Sequence, residues 1–168
     1  MKFVVISDIH GRSDLAERAA SYHPDRDGVL FLGDGVRDLS DTLTRGLFGG
    51  VRGNCDAFSF GAGIYDLSEE LSLSLGEYNI IMMHGHTHSV KSGEERAVAY
   101  ASKRGADILL YGHTHIPVER YYPEGYEIDG YILKKPLWVM NPGSIREGSY
   151  GLLQIKNKQV LISHGGVK

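Results

Sequence analysis

Ile108-Leu109-Leu110-Tyr111-Gly112-His113-Thr114-His115 sets the reading of this chain. Four consecutive apolar residues make a short buried strand candidate. A glycine and two imidazoles follow at once. The same order recurs upstream. Phe3-Val4-Val5-Ile6 leads to Asp8 and His10, and Val29-Leu30-Phe31-Leu32 leads to Gly33-Asp34. A glycine-interrupted stretch, 47–51, leads to Gly53-Asn54-Cys55-Asp56, and Ile80-Ile81-Met82-Met83 leads to His84. Open α/β sheets bind ligands beyond the carboxyl ends of their strands. Five strand ends that each deliver Asp, His or Asn point to one shared site.

The segments between these runs supply the helices. Residues 14–22 fit a helix with Ser13 as N-cap and Leu15, Ala19 and Tyr22 on one face. A short helix is expected over 38–44. Strand–helix alternation implies parallel strands joined by right-handed crossovers. Residues 64–75 and 78–83 then read as two strands around Gly76-Glu77. The clearest helix covers 93–104, with Ala97, Val98 and Ala101 as its buried stripe. Beyond strand 108–111 the chain reads as all-β, with strands at 118–122, 126–133, 137–140, 152–155 and 160–163 and a turn at Asn157-Lys158. No linker or low-complexity tract divides residues 1–168, which are expected to form a single domain. Gly-His-Thr-His occurs at both 85–88 and 112–115, but only the first copy is followed by a helix, so no structural repeat is inferred.

Bulk properties narrow the function classes. The 168 residues suffice for a real core. Eighteen basic and 21 acidic residues leave a net charge of −3, which gives no general attraction to nucleic acid or to an anionic membrane. The one cysteine, Cys55, excludes an intramolecular disulfide and suits a reducing compartment. No leader pattern precedes the first strand, and no apolar run approaches the ~20 residues of a membrane helix. A cytoplasmic location is expected. Many of the 22 glycines flank the polar clusters, where sharp turns or close approach to a ligand are needed.

Each cluster alone has an ordinary explanation. Asp34 fits a helix cap, His84 a core histidine and Asn54 a turn residue. Together they read differently. Asp8 and His10 are two apart, as are His113 and His115, and residues i and i+2 of an extended chain point the same way. Carboxylate, imidazole and amide oxygen suit divalent first-row metals rather than calcium or a thiolate zinc site. Seven protein donors exceed what one open catalytic ion needs. They suit two ions sharing a carboxylate, and ions ~3.5–4 Å apart are a recurring device for hydrolysing phosphate esters.

The chain resembles the calcineurin-like metallophosphoesterases, in particular the small bacterial and archaeal phosphodiesterases of the YfcE type. Asp8-Ile9-His10, Gly33-Asp34, Gly53-Asn54-Cys55-Asp56, His84-Gly85-His86, Gly112-His113-Thr114-His115 and Asn141-Pro142-Gly143-Ser144 carry the resemblance, which covers nearly the whole chain. It implies an α/β fold of four layers, α-β-β-α, with two mixed sheets face to face and no cap domain. It also implies a dinuclear centre. Asp8, His10 and His115 would hold the first ion, Asn54, His84 and His113 the second, and Asp34 would bridge both. The implied reaction is hydrolysis of a phosphodiester by in-line attack of a metal-bridging hydroxide. Manganese is the expected metal, with iron, nickel or zinc as alternatives. The substrate would be a small phosphodiester or nucleotide-like compound, and homo-oligomerisation stays open.

Larger relatives place a histidine where this chain has Cys55. Leaving-group protonation therefore falls to His86 or Cys55, imidazole being the better donor. Asp56 is expected to hold Asn54 or a ligand histidine through hydrogen bonds. Residues 141–144 are expected to support the site. Arg12 either touches substrate phosphate or stays a solvated loop residue. His88 lies farther from the strand end, and His23 and His164 lie outside every motif. Tyr121, Tyr122, Tyr126 and Tyr131 form either a base-stacking platform or ordinary sheet packing. Two other functions remain open: a phosphomonoesterase or nucleotidase, and a non-catalytic protein-binding scaffold like the retromer subunit of this fold.

Overall fold

The computed structural model describes residues 1–56 and 67–168. In chain order the strands are β1 (Lys2–Ile6), β2 (Gly28–Phe31), β3 (Leu47–Gly50), β4 (Glu70–Leu75), β5 (Tyr78–Met83), β6 (Ile108–Tyr111) and β7 (Pro117–Tyr122). They continue with β8 (Glu127–Ile128), β9 (Tyr131–Ile132), β10 (Leu137–Pro142), β11 (Ser149–Lys156) and β12 (Gln159–Gly166). The α-helices are α1 (Ser13–Ser21), α2 (Asp41–Arg45) and α3 (Glu95–Lys103).

Two mixed five-stranded sheets result. The first runs β12-β11-β1-β2-β3, with β1, β2 and β3 parallel. The second runs β4-β5-β6-β10-β7, with β5, β6 and β10 parallel. The apolar runs explain the layering. Strands covered on both faces need apolar residues at every position. Phe3 and Val5 of β1 and Leu30 of β2 face Ile80, Met82, Ile108 and Leu110 of the other sheet. Their neighbours Val4, Ile6, Val29 and Phe31 turn outward onto Leu15, Ala16, Ala19 and Ala20 of α1. On the other side Ile81, Met83, Leu109 and Tyr111 pack under Ala97, Val98 and Ala101 of α3. The four-layer α-β-β-α sandwich follows directly from this alternation.

Several local expectations need correction. Ser13 is the first residue of α1 rather than its cap, and Arg12 holds the cap position with no side-chain capping bond. Tyr22 lies beyond the helix and is exposed, so alanines complete the buried stripe. The helix expected over 38–44 is a 3-10 turn at Val36–Asp38 followed by α2, because Ser40 Oγ accepts the Leu43 N–H and starts a new helix. The strand expected over 126–133 is the two-stranded hairpin β8-β9. Asp129 and Gly130 both take positive φ, at 48° and 66°, and Asp-Gly is a strong tight-turn pair. Of the strand expected over 64–75, residues 64–66 lie outside the described residues. Among the described residues no helix is long and apolar enough to cross a membrane.

Candidate metal centre

The chain leaves β1, β2, β5 and β6 at one edge of the sandwich, and both sheets contribute donors there. Asp8 Oδ1 lies 3.2 Å from His115 Nε2 and 3.8 Å from His10 Nε2. Asp34 Oδ2 lies 3.3 Å from His84 Nε2 and 3.9 Å from His10 Nε2. His84 Nε2 is 3.1 Å from His113 Nδ1. The donors form overlapping groups whose ligand atoms all lie within 4.8 Å of one another. One is Asp8, His10 and His115, another is Asp34, His84 and His113, and a third joins His10 and Asp34 to Cys55.

The backbone explains how neighbours in sequence reach different groups. Asp8, His10, Asp34, His113 and His115 all take positive φ, between 44° and 67°. Left-handed backbone is rare outside glycine and gathers where a site demands it. The i, i+2 pairs therefore do not continue an extended strand, as the spacing alone suggests. His113 turns toward Asp34 and His84, while His115 turns toward Asp8 and His10. Gly112 between β6 and His113 is required by close approach, since a β-carbon there would overlap Ser7 Oγ and sit 3.2 Å from Asp8 Oδ2.

The donor set suits a cation. Asp8 Oδ2 accepts the His113 backbone N–H at 3.1 Å, but Oδ1 is buried with no hydrogen-bond partner. A buried carboxylate oxygen left this way is costly unless a cation meets it. Burial also pushes the Asp8 pKa up, against the pull of His84 and the Ser7 hydrogen bond. For Asp34 burial acts the same way but is outweighed by the His84 contact and the Cys55 N–H, and its carboxyl sits well below the usual range. His84 is fully buried and its Nδ1 faces the Leu32 carbonyl at 2.7 Å. In the neutral ring the proton belongs on Nδ1, leaving the Nε2 lone pair toward Asp34 and His113. Burial disfavours a charged His84, yet the Asp34 and Asp8 carboxylates raise its pKa overall. A cation between these groups would take that proton's place. Burial, then His84, brings His113 down to about 4, which keeps its nitrogen available.

A supporting shell holds the donors. Asp56 is buried, and its two oxygens accept the backbone N–H groups of Asp34, Gly35, Val36 and Gly53 at 2.8–3.0 Å. This differs from the expectation that it holds Asn54 or a histidine. A tight turn exposes several N–H groups at once, and one carboxylate has about four lone-pair sites to meet them. Asn141 donates to the Gly112 carbonyl at 2.8 Å and to Thr114 Oγ1 at 3.0 Å, and accepts the Gly143 N–H at 2.9 Å. Ser144 Oγ donates to the Asp8 carbonyl at 3.0 Å.

The remaining candidates sort as follows. Asn54 is exposed, and its side-chain amide lies 3.4 Å from Cys55 Sγ. Burial and the Asp34 carboxylate push the Cys55 thiol up to about 11. His86 is half-buried beside His84, with ring centroids 5.5 Å apart, and its Nδ1 is buried without a hydrogen-bond partner. Burial and then His84 lower its pKa. Arg12 forms a two-pronged pair with Asp14 at 2.8–2.9 Å. The tyrosines pack among themselves and their neighbours: Tyr121 on Trp138, Tyr122 on Tyr126, and Tyr131 beneath Lys103. Sequence reasoning missed the Leu32 carbonyl behind His84 and Glu147 Oε1, 3.4 Å from His115 Nδ1. A backbone acceptor leaves no mark in sequence, and Glu147 looks like any exposed loop acid.

Comparison with known proteins shows the family and the fold. The calcineurin-like phosphoesterase superfamily domain matches residues 1–158. The chain is similar to the probable metallophosphoesterase YsnB of Bacillus subtilis, 31% identical over 164 residues, covering 94% of this chain and 86% of that protein. It therefore belongs to the calcineurin-like metallophosphoesterases. Among solved structures it is similar to a predicted phosphoesterase of Streptococcus pneumoniae, with TM-score 0.73, 28% identity, and 98% of this chain and 88% of that one covered. It also shares its fold with zinc-complexed Vps29 of Entamoeba histolytica, with TM-score 0.70, 23% identity, and 100% and 96% covered.

Proposed function

We propose that this metallophosphoesterase is a phosphodiesterase working with two divalent ions, manganese foremost. The observation that carries the reading is Asp34, a carboxylate shared by two histidine-bearing donor groups. Asp8, His10 and His115 would hold one ion, and His84, His113 and Asn54 the other, with Asp34 touching both. When bound, such ions supply a water of lowered pKa and offset charge on the phosphate oxygens. The chain's part is to fix the donors rigidly on two sheets and to accept the ester. A diester fits better than a monoester because a cavity beside His10 and Cys55 leaves room for a second substituent. The substrate class is a small phosphodiester or nucleotide-like compound.

Manganese loading followed by elemental analysis should give two ions per chain, together with turnover of bis-(p-nitrophenyl) phosphate. One ion at saturation sinks the shared role of Asp34. Two ions without turnover of any phosphate ester favour the scaffold reading.

His86 is the proposed leaving-group acid. The Cys55 thiol is the poorer candidate, because a thiol is a weak hydrogen-bond donor. His86 has a buried nitrogen with no hydrogen-bond partner beside the donor groups, and imidazole is the better donor. General acid help is worth ~100- to 10,000-fold. His86→Ala should therefore slow alkyl diesters far more than nitrophenyl diesters, whose leaving group needs little protonation. Cys55→Ser should show a smaller contrast. Equal losses on both ester types would remove His86 from this role.

A further inference from the structure

Cys55 joins His10 and Asp34 in the third donor group, whose ligand atoms all lie within 4.8 Å of one another. It is the chain's single cysteine, and it is exposed. Neither ion of the proposed pair needs its sulfur. Soft thiolate selects zinc-group ions, whereas manganese prefers oxygen donors. This group therefore has a chemistry that the other two lack.

The local backbone sets the sulfur beside the carboxylate. Cys55 is the middle residue of the 3-10 turn Asn54–Asp56, and its N–H donates to Asp34 Oδ1 at 2.8 Å. That bond leaves Asp34 Oδ2 facing His10 Nε2 at 3.9 Å. The Asn54 side-chain amide donates to Cys55 Sγ at 3.4 Å, so the sulfur already serves as an acceptor. His10 and Cys55 both stand on the wall of a cavity of about 320 Å³, which gives an ion a way in. Asp8 Oδ1, fully buried and without a hydrogen-bond partner, lies 3.8 Å from the same His10 nitrogen. An orphaned carboxylate oxygen aimed there calls for positive charge beside His10. Zinc bonds of ~2.3 Å to sulfur and ~2.0–2.1 Å to nitrogen set tetrahedral donors roughly 3.5 Å apart, so rotation of the exposed thiol closes the group.

We propose that Cys55, His10 and Asp34 form an alternative metal site, selective for thiophilic divalent ions of the zinc group, whose occupation excludes the manganese pair. The ion is held by the thiolate sulfur, the His10 nitrogen and one Asp34 oxygen, with water in the fourth position. The thiol proton passes to solvent as the sulfur–metal bond forms, and nothing is oxidised or reduced. His10 and Asp34 are borrowed from both proposed manganese positions, so the two arrangements compete. The site itself needs only the donor group, and its competition with manganese rests on the two-ion reading.

Cadmium tests this, because its bond to thiolate sulfur gives an ultraviolet charge-transfer band that oxygen and nitrogen donors do not. With one cysteine in the chain, that band reports Cys55 alone. Cadmium added to the metal-free protein should raise the band, and manganese should not. Cys55→Ser should remove it and weaken the tightest cadmium binding, read by calorimetry, by about tenfold or more. His10→Ala should move the midpoint of the band to about tenfold more cadmium. In manganese-loaded protein, cadmium should release free manganese, read by its paramagnetic resonance signal, in step with the rise of the band. Absence of the band in the unaltered protein overturns the proposal. So does an unmoved midpoint in His10→Ala, which leaves Cys55 as an isolated surface thiol. A band that rises with no manganese released overturns it too. A protein that takes up no manganese counts against the two-ion reading alone, and the cadmium titration then decides this site.

Discussion

Asp34→Asn should abolish metal-dependent diester hydrolysis, with a loss beyond the ~100- to 1,000-fold that follows removal of a single transition-state donor. Asp34 Oδ1 is anchored by the Cys55 N–H at 2.8 Å, which leaves Oδ2 facing His84 and His10. An amide keeps the shape but removes the charge that two cations would share. One orientation also puts an N–H₂ group where a lone pair is required. Metal content should fall to one ion or fewer per chain, with far-UV circular dichroism unchanged. His113→Ala strips one donor from one group, so its loss should be smaller. Normal turnover by the Asp34→Asn protein, with two ions still bound, would dismantle the proposed centre.

Asp56→Ala should be the most destabilising change around the site. Four backbone donors from two segments converge on this one buried carboxylate. Truncation strands them together in a tight turn, and loss of one partner in a buried, charged network costs about 3–5 kcal/mol. Urea titration should show a lower midpoint at an unchanged slope. Asp56→Asn keeps one acceptor oxygen and should fall between. Metal affinity should drop in both, because Asp34 hangs from the same turn through its own N–H. A change below ~0.5 kcal/mol for Asp56→Ala, the scale of an ordinary surface substitution, would mean that water satisfies these donors equally well.

The sandwich is legible in the sequence because its central strands are covered on both faces. Val29 to Leu32 leaves no polar position, and only a layered fold can use such a run four or five times. Donor identity is legible for a similar reason, since charge and imidazole directly after a buried strand need a purpose. The partition of donors comes from the family resemblance and is not legible in the residues themselves. His113 and His115 separate because both adopt left-handed backbone, and nothing in Gly-His-Thr-His announces that. Asp56 keeps its motif position yet serves backbone rather than side chains, a distinction that depends on where the Asp34 turn lies. His164 stands outside every motif, but its Nε2 lies 2.7 Å from the Asn141 carbonyl, behind the residue that holds the Gly112 turn. Asp129-Gly130 signals the β8-β9 break, and apolar content on either side obscures it.

Two of the three donor groups draw on both sheets: Asp8 and His10 with His115, and Asp34 with His84 and His113. Ions seated there would act as rivets through the seam of the sandwich, and sliding one sheet across the other would tear their coordination. Mechanical integrity then becomes a function of the surrounding metal activity. At a hundredfold excess over its dissociation constant, one such rivet adds about 2.7 kcal/mol to the folded state. Starvation for metal would loosen the whole sandwich as well as silence its chemistry, and its lifetime in a cell would follow the supply of a trace nutrient.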